Sequence, residues 1–254
     1  MNPIRRYEKI MEVLLTQQEV TVAELSENLG VTGKTIREDL AKLEEQGLLV
    51  RVHGGAMLAQ SDQYGILPSK EPLTKHAEEK SEIARLAIDH IQDGDILALD
   101  GGSTTLEIAR RLENRPLTVV TNDVYIISEL AAKDQVRLVV PGGYRVRNML
   151  AGPESAAYVR QLNIQKAFIS ATGIHPDHGL SIYTGDLIDF KRALIETSRE
   201  VIAVMNHQKF GQTALRTFAS LSEISRIITD RGIPAESAEP YERAGITIEY
   251  ADKK

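Results

Sequence analysis

Apolar residues recur at helical spacing through the N-terminal part of the chain. Ile36, Leu40 and Leu43 follow one another at intervals of four and three residues, so they lie on one face of a predicted helix. A similar stripe predicts a first helix from Pro3 to Thr16. Its apolar residues are available to pack against two further helices, and a small helical core is therefore expected here.

Residues that start and stop helices punctuate this pattern. Thr21 and Glu24 have the spacing of a capping box, in which each side chain satisfies a backbone N–H of the other. Gly30 suits a tight turn. Thr32 is expected to cap a helix that runs to Gly47, whose missing Cβ suits a left-handed position. The segment therefore predicts a helix-turn-helix.

A short alternating run follows the predicted helix-turn-helix. The stretch Leu48–Val52 ends in an alternation of apolar and polar side chains at Val50, Arg51 and Val52, and His53 with two glycines after it favours a tight turn. Together these features predict a hairpin wing. Arg51 and His53 on the wing are candidates for contacts with DNA phosphates.

The helix that begins at Thr32 has a polar face opposite its apolar stripe. Lys34, Glu38 and Ala41 lie on this face. Arg and Lys pair with guanine acceptors and Glu accepts from cytosine, so the face has the chemistry to read a major groove. Arginines at the start of the first helix are candidates for phosphate contacts, with a solvated chain end as the equal alternative. The predicted DNA contacts are Arg5, Arg6, Thr32, Lys34, Thr35, Arg37, Glu38, Arg51 and His53.

Charge alone does not demand a nucleic-acid partner. Residues 1–57 hold seven Lys and Arg residues against nine Asp and Glu residues, and Lys34 with Glu38 can form an ordinary intrahelical ion pair. Most acidic residues lie away from the inferred reading face, however, and the distribution of charge matters more than its sum. We therefore favour DNA binding, and we expect a dimer or higher oligomer because one copy binds weakly.

The helical pattern ends after Met57. Polar residues, a glycine and prolines over 59–76 predict a linker, so the expected domains are 1–58 for DNA binding, 59–76 for the linker and 77–254 for a ligand-sensing unit. From about Ala77, helical stripes alternate with β-branched runs, which predicts an α/β fold with a doubly wound, mostly parallel sheet. The expected strands are Ile96–Leu99, Leu117–Val120, Val136–Val140, Lys166–Ser170, Glu200–Met205, Arg226–Thr229 and Thr247–Tyr250.

Ligands of open α/β sheets bind beyond the carboxyl ends of the strands, near a switch in strand order. After the first predicted strand of this sheet, residues 100–105 carry glycines and hydroxyl side chains and lead into a helix, which predicts a phosphate cradle. An ordinary turn capped by Ser103 or Thr104 explains the same residues. Both interpretations stay open at this point.

The next four predicted strands also end in polar or glycine-rich loops. Lys191 and Lys209 offer cations to an anionic ligand, although surface solvation explains each lysine taken singly. Together the loops suit a phosphorylated small molecule. The candidate ligand contacts are Asp100, Gly102, Ser103, Thr104, Thr105, Asn122, Gly142, Gly143, Thr172, Gly173, Lys191 and Lys209.

Composition narrows the class of protein. The chain has 254 residues, of which 42% are hydrophobic, enough for a small module and a larger domain with its own core. There is no cysteine, so disulfides and thiolate chemistry are excluded. The first residues lack the apolar run of a signal peptide, and no stretch approaches the ~20 apolar residues of a membrane span. A reducing, bacterial-type cytoplasm is expected, and the net charge of −6 does not identify a ligand.

We expect no catalytic, metal or cofactor site. Asp100, Asp186 and Asp189 are the carboxylates available to a sugar-phosphate isomerase, but nothing in their spacing demands the role of a base. His175 and His178 lack the spacing of a zinc site. An isomerase-like enzyme with a DNA-binding appendage is the main alternative, and an interaction protein whose module binds protein is the second.

The motifs also carry a family resemblance. The run VTGKTIREDLAKLEEQGLLVRVHGGA resembles the winged helix-turn-helix of the DeoR family of bacterial regulators of sugar metabolism. The runs DGGSTT, TND, PGG, ATGIHPDHGLS, FKRALIE and NHQKFG are similar in order and spacing to the sensor domain of that family. The resemblance implies a fold related to ribose-5-phosphate isomerase. It also implies a phosphosugar surrounded by Ser103, Thr104, Thr105, Asn122, Gly142, Gly143 and Lys191.

Three positions depart from the family pattern. Family members usually have a second arginine at the position of Glu38, an acidic residue at that of Leu187 and an aspartate at that of Asn206. The first departure predicts a different operator sequence, and the other two predict a different effector. The chain is expected to be an oligomeric repressor of a sugar catabolic operon, released from double-stranded operator DNA by a phosphorylated sugar.

Overall fold

The N-terminal part of the chain folds into three helices and a small antiparallel sheet. The structure is a computed structural model that describes residues 2–17, 19–45, 48–58, 76–146, 148–183 and 185–252. The elements of the N-terminal module are α1 (Pro3–Gln17), β1 (Glu19–Thr21), α2 (Val22–Leu29), α3 (Gly33–Glu45), β2 (Leu49–Val52) and β3 (Gly55–Leu58).

The predicted helix boundaries are present. The backbone N–H of Glu24 donates to Thr21 Oγ1 at 3.2 Å, and the N–H of Thr21 donates to Glu24 Oε2 at 2.9 Å, which completes the capping box. Gly30 ends α2 in the left-handed region with φ 62°. Thr32 Oγ1 accepts from the N–H of Thr35 at 3.3 Å and caps α3. The predicted stop at Gly47 lies outside the described residues.

The predicted hairpin wing is present in β2 and β3, and a third strand extends it. Val52 pairs with Gly55, which leaves His53 and Gly54 as a two-residue turn. Strand β1 then adds to the other edge of β3, in the order β1-β3-β2. Three residues are too few to show an alternating pattern, so β1 was not predicted. A Cβ on Gly55 would lie 2.1 Å from the carbonyl oxygen of Val20, so the close approach of β1 requires glycine there.

A seven-stranded parallel sheet forms the centre of the larger domain. All seven predicted strands are confirmed, each shifted by no more than two residues at either end. Their bounds are β4 (Ile96–Leu99), β5 (Leu117–Val120), β6 (Val136–Val139), β9 (Ile164–Ile169), β12 (Ser198–Val204), β14 (Arg226–Asp230) and β15 (Thr247–Ala251).

The order of these strands is β15-β14-β12-β9-β4-β5-β6. The chain therefore runs outward from β4 to β6, returns to β9 on the other side of β4, and then runs outward to β15. The carboxyl ends of β4 and β9 face a switch in strand order, where ligands of such sheets bind.

Helices cover both faces of the sheet, as the alternation of stripes predicts. One core contains Ile83, Leu106 and Ile126 of α4, α5 and α6, and the other contains Val159, Phe190 and Tyr241 of α7, α8 and α9. The helix bounds are α4 (Ala77–Asp89), α5 (Ser103–Arg111), α6 (Val124–Leu130), α7 (Pro153–Val159), α8 (Ile188–Thr197) and α9 (Ala235–Arg243). The doubly wound α/β fold is confirmed.

Two small sheets lie outside the predicted pattern. They contain β7 (Tyr144–Val146) with β8 (Met149–Ala151), and β10 (Gly173–His175) with β11 (Gly179–Ile182) and β13 (Arg216–Ala219). Each strand has only three or four residues, and the partners of β13 are distant in sequence, so no local periodicity reveals them.

Candidate functional site

Three side chains from separate elements meet at the switch in strand order. The N–H of Ser170, directly after β9, donates to Asp100 Oδ2 at 3.0 Å, and Asp100 directly follows β4. Lys191 of α8 forms an ion pair with the same carboxylate oxygen and donates to the carbonyl oxygen of Ser170 at 2.9 Å. All three side chains are buried. Since a buried charge needs compensation, this ion pair fixes the local geometry around Asp100, Ser170 and Lys191 at the carboxyl ends of β4 and β9, the region named the crevice below.

The crevice retains acceptors without a partner among the described residues. Asp100 Oδ1 is buried and accepts no hydrogen bond, although Oδ2 of the same carboxylate accepts three. Asn122 Oδ1, Thr172 Oγ1 and Asn206 Oδ1 follow β5, β9 and β12 and are likewise buried without a partner. Three of these four atoms only accept hydrogen bonds. An occupant that supplies hydroxyl donors would satisfy them.

The start of α5 faces this crevice without a side-chain cap. Gly102 is the N-cap, and no side chain accepts from the first backbone N–H groups. The alternative of a turn capped by Ser103 or Thr104 therefore does not form. The Thr105 hydroxyl donates to the carbonyl oxygen of Gly102 at 2.9 Å. A Cβ on Gly102 would lie 2.6 Å from Ser170 Oγ, so glycine is needed for the close approach of β9.

Lys209 reaches the same region from the loop after β12. Its Nζ donates to the carbonyl oxygen of Ala171 at 2.5 Å. Lys191 and Lys209 thus contact successive carbonyl groups beyond β9, and both carry a cation to this edge of the sheet. The arrangement suits an anionic ligand.

Other predicted residues lie along the same edge but make different contacts. Gly142 and Gly143 follow β6, two strands away from Asp100, and the carbonyl of Gly142 accepts from Ser155 Oγ at 2.5 Å. Gly173 packs against the carbonyl of Gln212. Thr104 is buried in the first turn of α5. No described contact joins either glycine of the β6 loop to the Lys191 ion pair.

Asp123 belongs to the site but was not among the predicted contacts. Its Oδ1 accepts from the N–H groups of Tyr125 and Ile126 and caps α6, while Oδ2 accepts from Asn148 Nδ2 at 2.8 Å. Burial raises the pKa of Asp123 from 3.8 to about 6, and the charge of Asp100 adds to this shift. Asp123 was recognisable as a helix cap, but not as a neighbour of Asp100.

The predicted reading face of α3 is open to solvent. Lys34, Arg37 and Glu38 are exposed, and Thr35 is half-buried. The intrahelical ion pair between Lys34 and Glu38 does not form, and none of the three charged groups has a salt bridge within the described residues. The face is therefore available to a partner, as direct readout of bases requires.

The predicted phosphate contact of Arg6 is wrong. Its guanidinium forms two hydrogen bonds to Asp39 of α3, with Nε to Oδ2 at 2.5 Å and Nη2 to Oδ1 at 2.9 Å. Both side chains are buried, so Arg6 joins α1 to α3 and is not presented to a phosphate. Arg5 is exposed. In the wing, His53 is exposed and Arg51 pairs with Glu44 at 2.6 Å while half of its side chain stays exposed.

The two histidines weighed as zinc ligands lie at the end of β10 and in the turn that follows it. His175 and His178 stack with ring centroids 4.7 Å apart, and no cluster of three or more metal-ligating side chains occurs in the described ranges. None of the helices described is both long and apolar enough to span a membrane.

A winged helix-turn-helix joined to an α/β domain with a polar crevice defines a DNA-binding regulator with a sensor domain. The model of the DeoR-like helix-turn-helix domain matches residues 6–62, and the model of the DeoR C terminal sensor domain matches residues 75–231. The chain therefore belongs to the DeoR family of transcriptional regulators.

Relatives agree with this membership. The chain is 33% identical over 237 residues to the glycerol-3-phosphate regulon repressor of Escherichia coli (strain K12), covering 92% of this chain and 93% of the relative. It is 32% identical over 254 residues to the transcriptional regulator GlpR of Haloferax volcanii, covering 98% of each. Since these relatives are regulators, the chain is a transcriptional regulator rather than an enzyme.

One solved structure of an isomerase resembles part of this chain. Ribose 5-phosphate isomerase A from Methanocaldococcus jannaschii aligns with 53% of this chain and 55% of its own, at 15% identity and a TM-score of 0.40.

Proposed function

We propose that this regulator represses a sugar catabolic operon and leaves its operator when a phosphorylated sugar binds the crevice between β4 and β9. The observation that carries the proposal is the buried Lys191–Asp100 ion pair, which leaves Asp100 Oδ1 without a partner beside the uncapped start of α5. A glycerol-3-phosphate regulon repressor among the relatives supports a phosphorylated polyol as the effector.

Each part of such an effector has a complementary group. The phosphate would accept hydrogen bonds from the N–H groups at the start of α5, where the helix dipole favours an anion, and from the Ser103 hydroxyl. Lys191 and Lys209 would add positive charge. The sugar hydroxyls would donate to the buried acceptors of Asp100 and Asn206. The effector needs both properties, because a free sugar satisfies the acceptors only and inorganic phosphate satisfies the donors only.

The DNA-binding half of the proposal rests on the exposed face of α3. Arg37, Lys34 and Glu38 would contact base edges in the major groove, while Arg51 and His53 of the wing would contact phosphates. Two copies of the chain would present two such faces to two half-sites, in a homodimer or homotetramer. We assign residues 1–58 to DNA binding, 59–76 to the linker and 77–254 to sensing, and we place the protein in the cytoplasm with its operator.

Ligand screening by thermal unfolding tests the sensor. A panel of sugar phosphates, the matching free sugars and inorganic phosphate are each added to the full chain. A specific sugar phosphate is expected to raise the midpoint of unfolding, because a ligand that binds only the native state stabilises it, by about 2.7 kcal/mol at 100 times its Kd. Ser103→Ala and the double variant Lys191→Met with Asp100→Leu, which leaves no uncompensated buried charge, should remove this rise and still bind operator DNA.

Lys133→Met is the matched control for Lys191→Met. Lys133 Nζ also donates to a backbone carbonyl, that of Ala109 at 2.6 Å, but it lies just after α6 and away from the crevice. It should keep the full response to the sugar phosphate. If both crevice variants respond like the wild type, the proposed pocket is wrong.

Substitution of Arg37 tests the DNA-binding face. Arg37→Ala is expected to cost about 1–3 kcal/mol of operator binding, a loss of roughly 5- to 150-fold, and to relax the preference for one base pair. Fluorescence anisotropy with promoter DNA measures it. Arg243→Ala removes the same charge from exposed α9 and should leave operator affinity unchanged. Equal affinities for both variants would contradict the assignment of α3.

A further inference from the structure

One segment extends from the crevice to the DNA-binding module. Residues Lys209–Arg216, here named the coupling segment, begin at the last residue of the short turn His207–Lys209 after β12 and end at the first residue of β13. Both of its ends make contacts that cross between parts of the molecule. Its role rests on the proposed function, because the segment would carry occupancy of that crevice to the DNA-binding module.

The first end of the coupling segment holds the chain beyond β9. Lys209 donates to the carbonyl oxygen of Ala171 at 2.5 Å. Gly173 lies two residues after Ala171. A Cβ on Gly173 would lie 2.4 Å from the carbonyl oxygen of Gln212, so the residues after β9 and the coupling segment are in direct backbone contact. Gly211 N–H donates to Tyr241 Oη at 2.9 Å, and this hydroxyl donates to the carbonyl of Ile174 at 2.7 Å. A shift of the residues after β9 therefore has to move the segment.

The second end joins the core of the DNA-binding module. Ala214 and Tyr183 are buried in the same apolar cluster as Ile10, Leu25 and Leu40 of α1, α2 and α3. The N–H of Ala214 also donates to Ser181 Oγ of β11 at 2.8 Å, which fixes its position in the sensor. The segment is thus shared by both domains.

An ion pair completes the contact with the module. Arg216 Nη1 lies 3.1 Å from Glu8 Oε1 on α1, and the exposed fractions of the two side chains are 43% and 23%. Ion pairs this exposed add little to stability. A small apolar contact and a weak ion pair form an interface that can open at low cost, which suits a contact that has to change on binding of an effector.

We infer that the coupling segment transmits occupancy of the crevice to the DNA-binding module, with Lys209 as its contact at the crevice and the Arg216–Glu8 pair as its contact with α1. When the residues after β9 move to receive an effector, the segment releases α1 and the two α3 helices of an oligomer lose their spacing. Effector and operator then favour different arrangements, which is the condition for coupling of their affinities.

Hydrogen exchange of the full chain tests this inference without any sugar. The variants are Lys209→Met, Arg216→Ala and the two together, and the readout is the exchange rate of the α1 amides, since exchange reports local opening. Lys209→Met, whose substitution lies in the sensor, is expected to accelerate α1 exchange several-fold. Arg216→Ala should do the same, and the double variant should exchange no faster than either single one.

Two controls separate transmission from general loosening. Lys209→Arg keeps a donor for the carbonyl of Ala171 and should exchange like the wild type. Arg160→Ala breaks a pair of the same length, 3.1 Å to Glu196, with similar exposure of the arginine at 45%, and should leave α1 unchanged.

Unchanged α1 exchange in Lys209→Met, or additive effects in the double variant, would overturn the inference. Acceleration of α1 by Arg160→Ala would overturn it too. Because no ligand is added, a failure of the sugar-phosphate screen leaves this result intact, and the two proposals fail separately.

Discussion

A buried ion pair joins distant segments in each domain, and the two pairs differ in one respect. Arg6 and Asp39 join α1 to α3, and both oxygens of Asp39 accept from the guanidinium. Lys191 and Asp100 join α8 to the end of β4, but Oδ1 of Asp100 has no partner among the described residues. The first pair is complete within the protein, and the second leaves an acceptor for something else.

The difference separates a structural ion pair from a binding site. A buried acceptor without a partner costs free energy, about 1–3 kcal/mol, and an occupant that donates a hydrogen bond recovers it. Burial and charge are alike in the two pairs, so neither property alone identifies a binding site. What distinguishes the two pairs is whether each carboxylate oxygen accepts a hydrogen bond from the protein.

Removal of Arg6 is expected to have the largest effect on stability. Arg6→Ala leaves Asp39 buried without its cation, which costs about 3–5 kcal/mol of the free energy of unfolding of the module. Chemical denaturation measures this loss, and operator binding should weaken with it. The double variant Arg6→Met with Asp39→Leu should lose much less, since no uncompensated charge remains.

The corresponding double variant in the sensor tests whether its ion pair serves ligand binding. Lys191→Met with Asp100→Leu should also fold and bind the operator, but it should no longer respond to a sugar phosphate. If instead the Arg6 double variant lost its operator affinity while it stayed folded, the pair in the module would not be purely structural.

Titration of Asp123 is expected to make the free energy of unfolding depend on pH, with an effect of intermediate size. Its pKa in the folded protein is raised from 3.8 to about 6, so its stabilising contribution is fully present below pH 4 and is lost as the pH rises through 6. From the size of the shift, the unfolding free energy should fall by up to about 3 kcal/mol over this range. Asp123→Asn should abolish that fall, as denaturation at pH 4 to pH 7 would show.

The asparagine variant is expected to keep its fold. Asparagine also caps helices well, and the side-chain amide of Asn148 can turn over, because its Oδ1 has no partner at present. A wild-type profile in the variant would mean that Asp123 does not titrate in this range.

Loss of the exposed ion pair between Arg51 and Glu44 is expected to have the smallest effect on stability. Hydrogen bonds from the backbone and side chain of Arg51 lower the pKa of Glu44, yet exposed ion pairs contribute little. Arg51→Ala should leave the unfolding midpoint unchanged and reduce the slope of operator affinity against salt by about one, if Arg51 exchanges Glu44 for a phosphate. A slope equal to that of the wild type would remove Arg51 from the predicted contacts.

Some site residues were predicted from the sequence and others were not, because local patterns do not indicate contacts between distant segments. Asp100 was predicted because it directly follows a strand. Lys191 was predicted because it lies on a helix with a clear apolar stripe. Ser170 was assigned to a strand and Asp123 was not among the predicted contacts, because nothing local indicates that both lie next to Asp100. Arg6 was predicted to contact DNA, because its actual partner, Asp39, is 33 positions away and no local pattern indicates the pair.

The helix-turn-helix, the seven strands and the α/β class all follow from the order of apolar and polar residues, because caps and periodicity act over a few residues. Which charges face each other follows from long-range packing. Arg6 turns inward to Asp39, 33 positions away, and no local pattern encodes this contact. The crevice at β4 and β9 exists because strands distant in sequence become neighbours in the sheet, and the same packing places the coupling segment against α1.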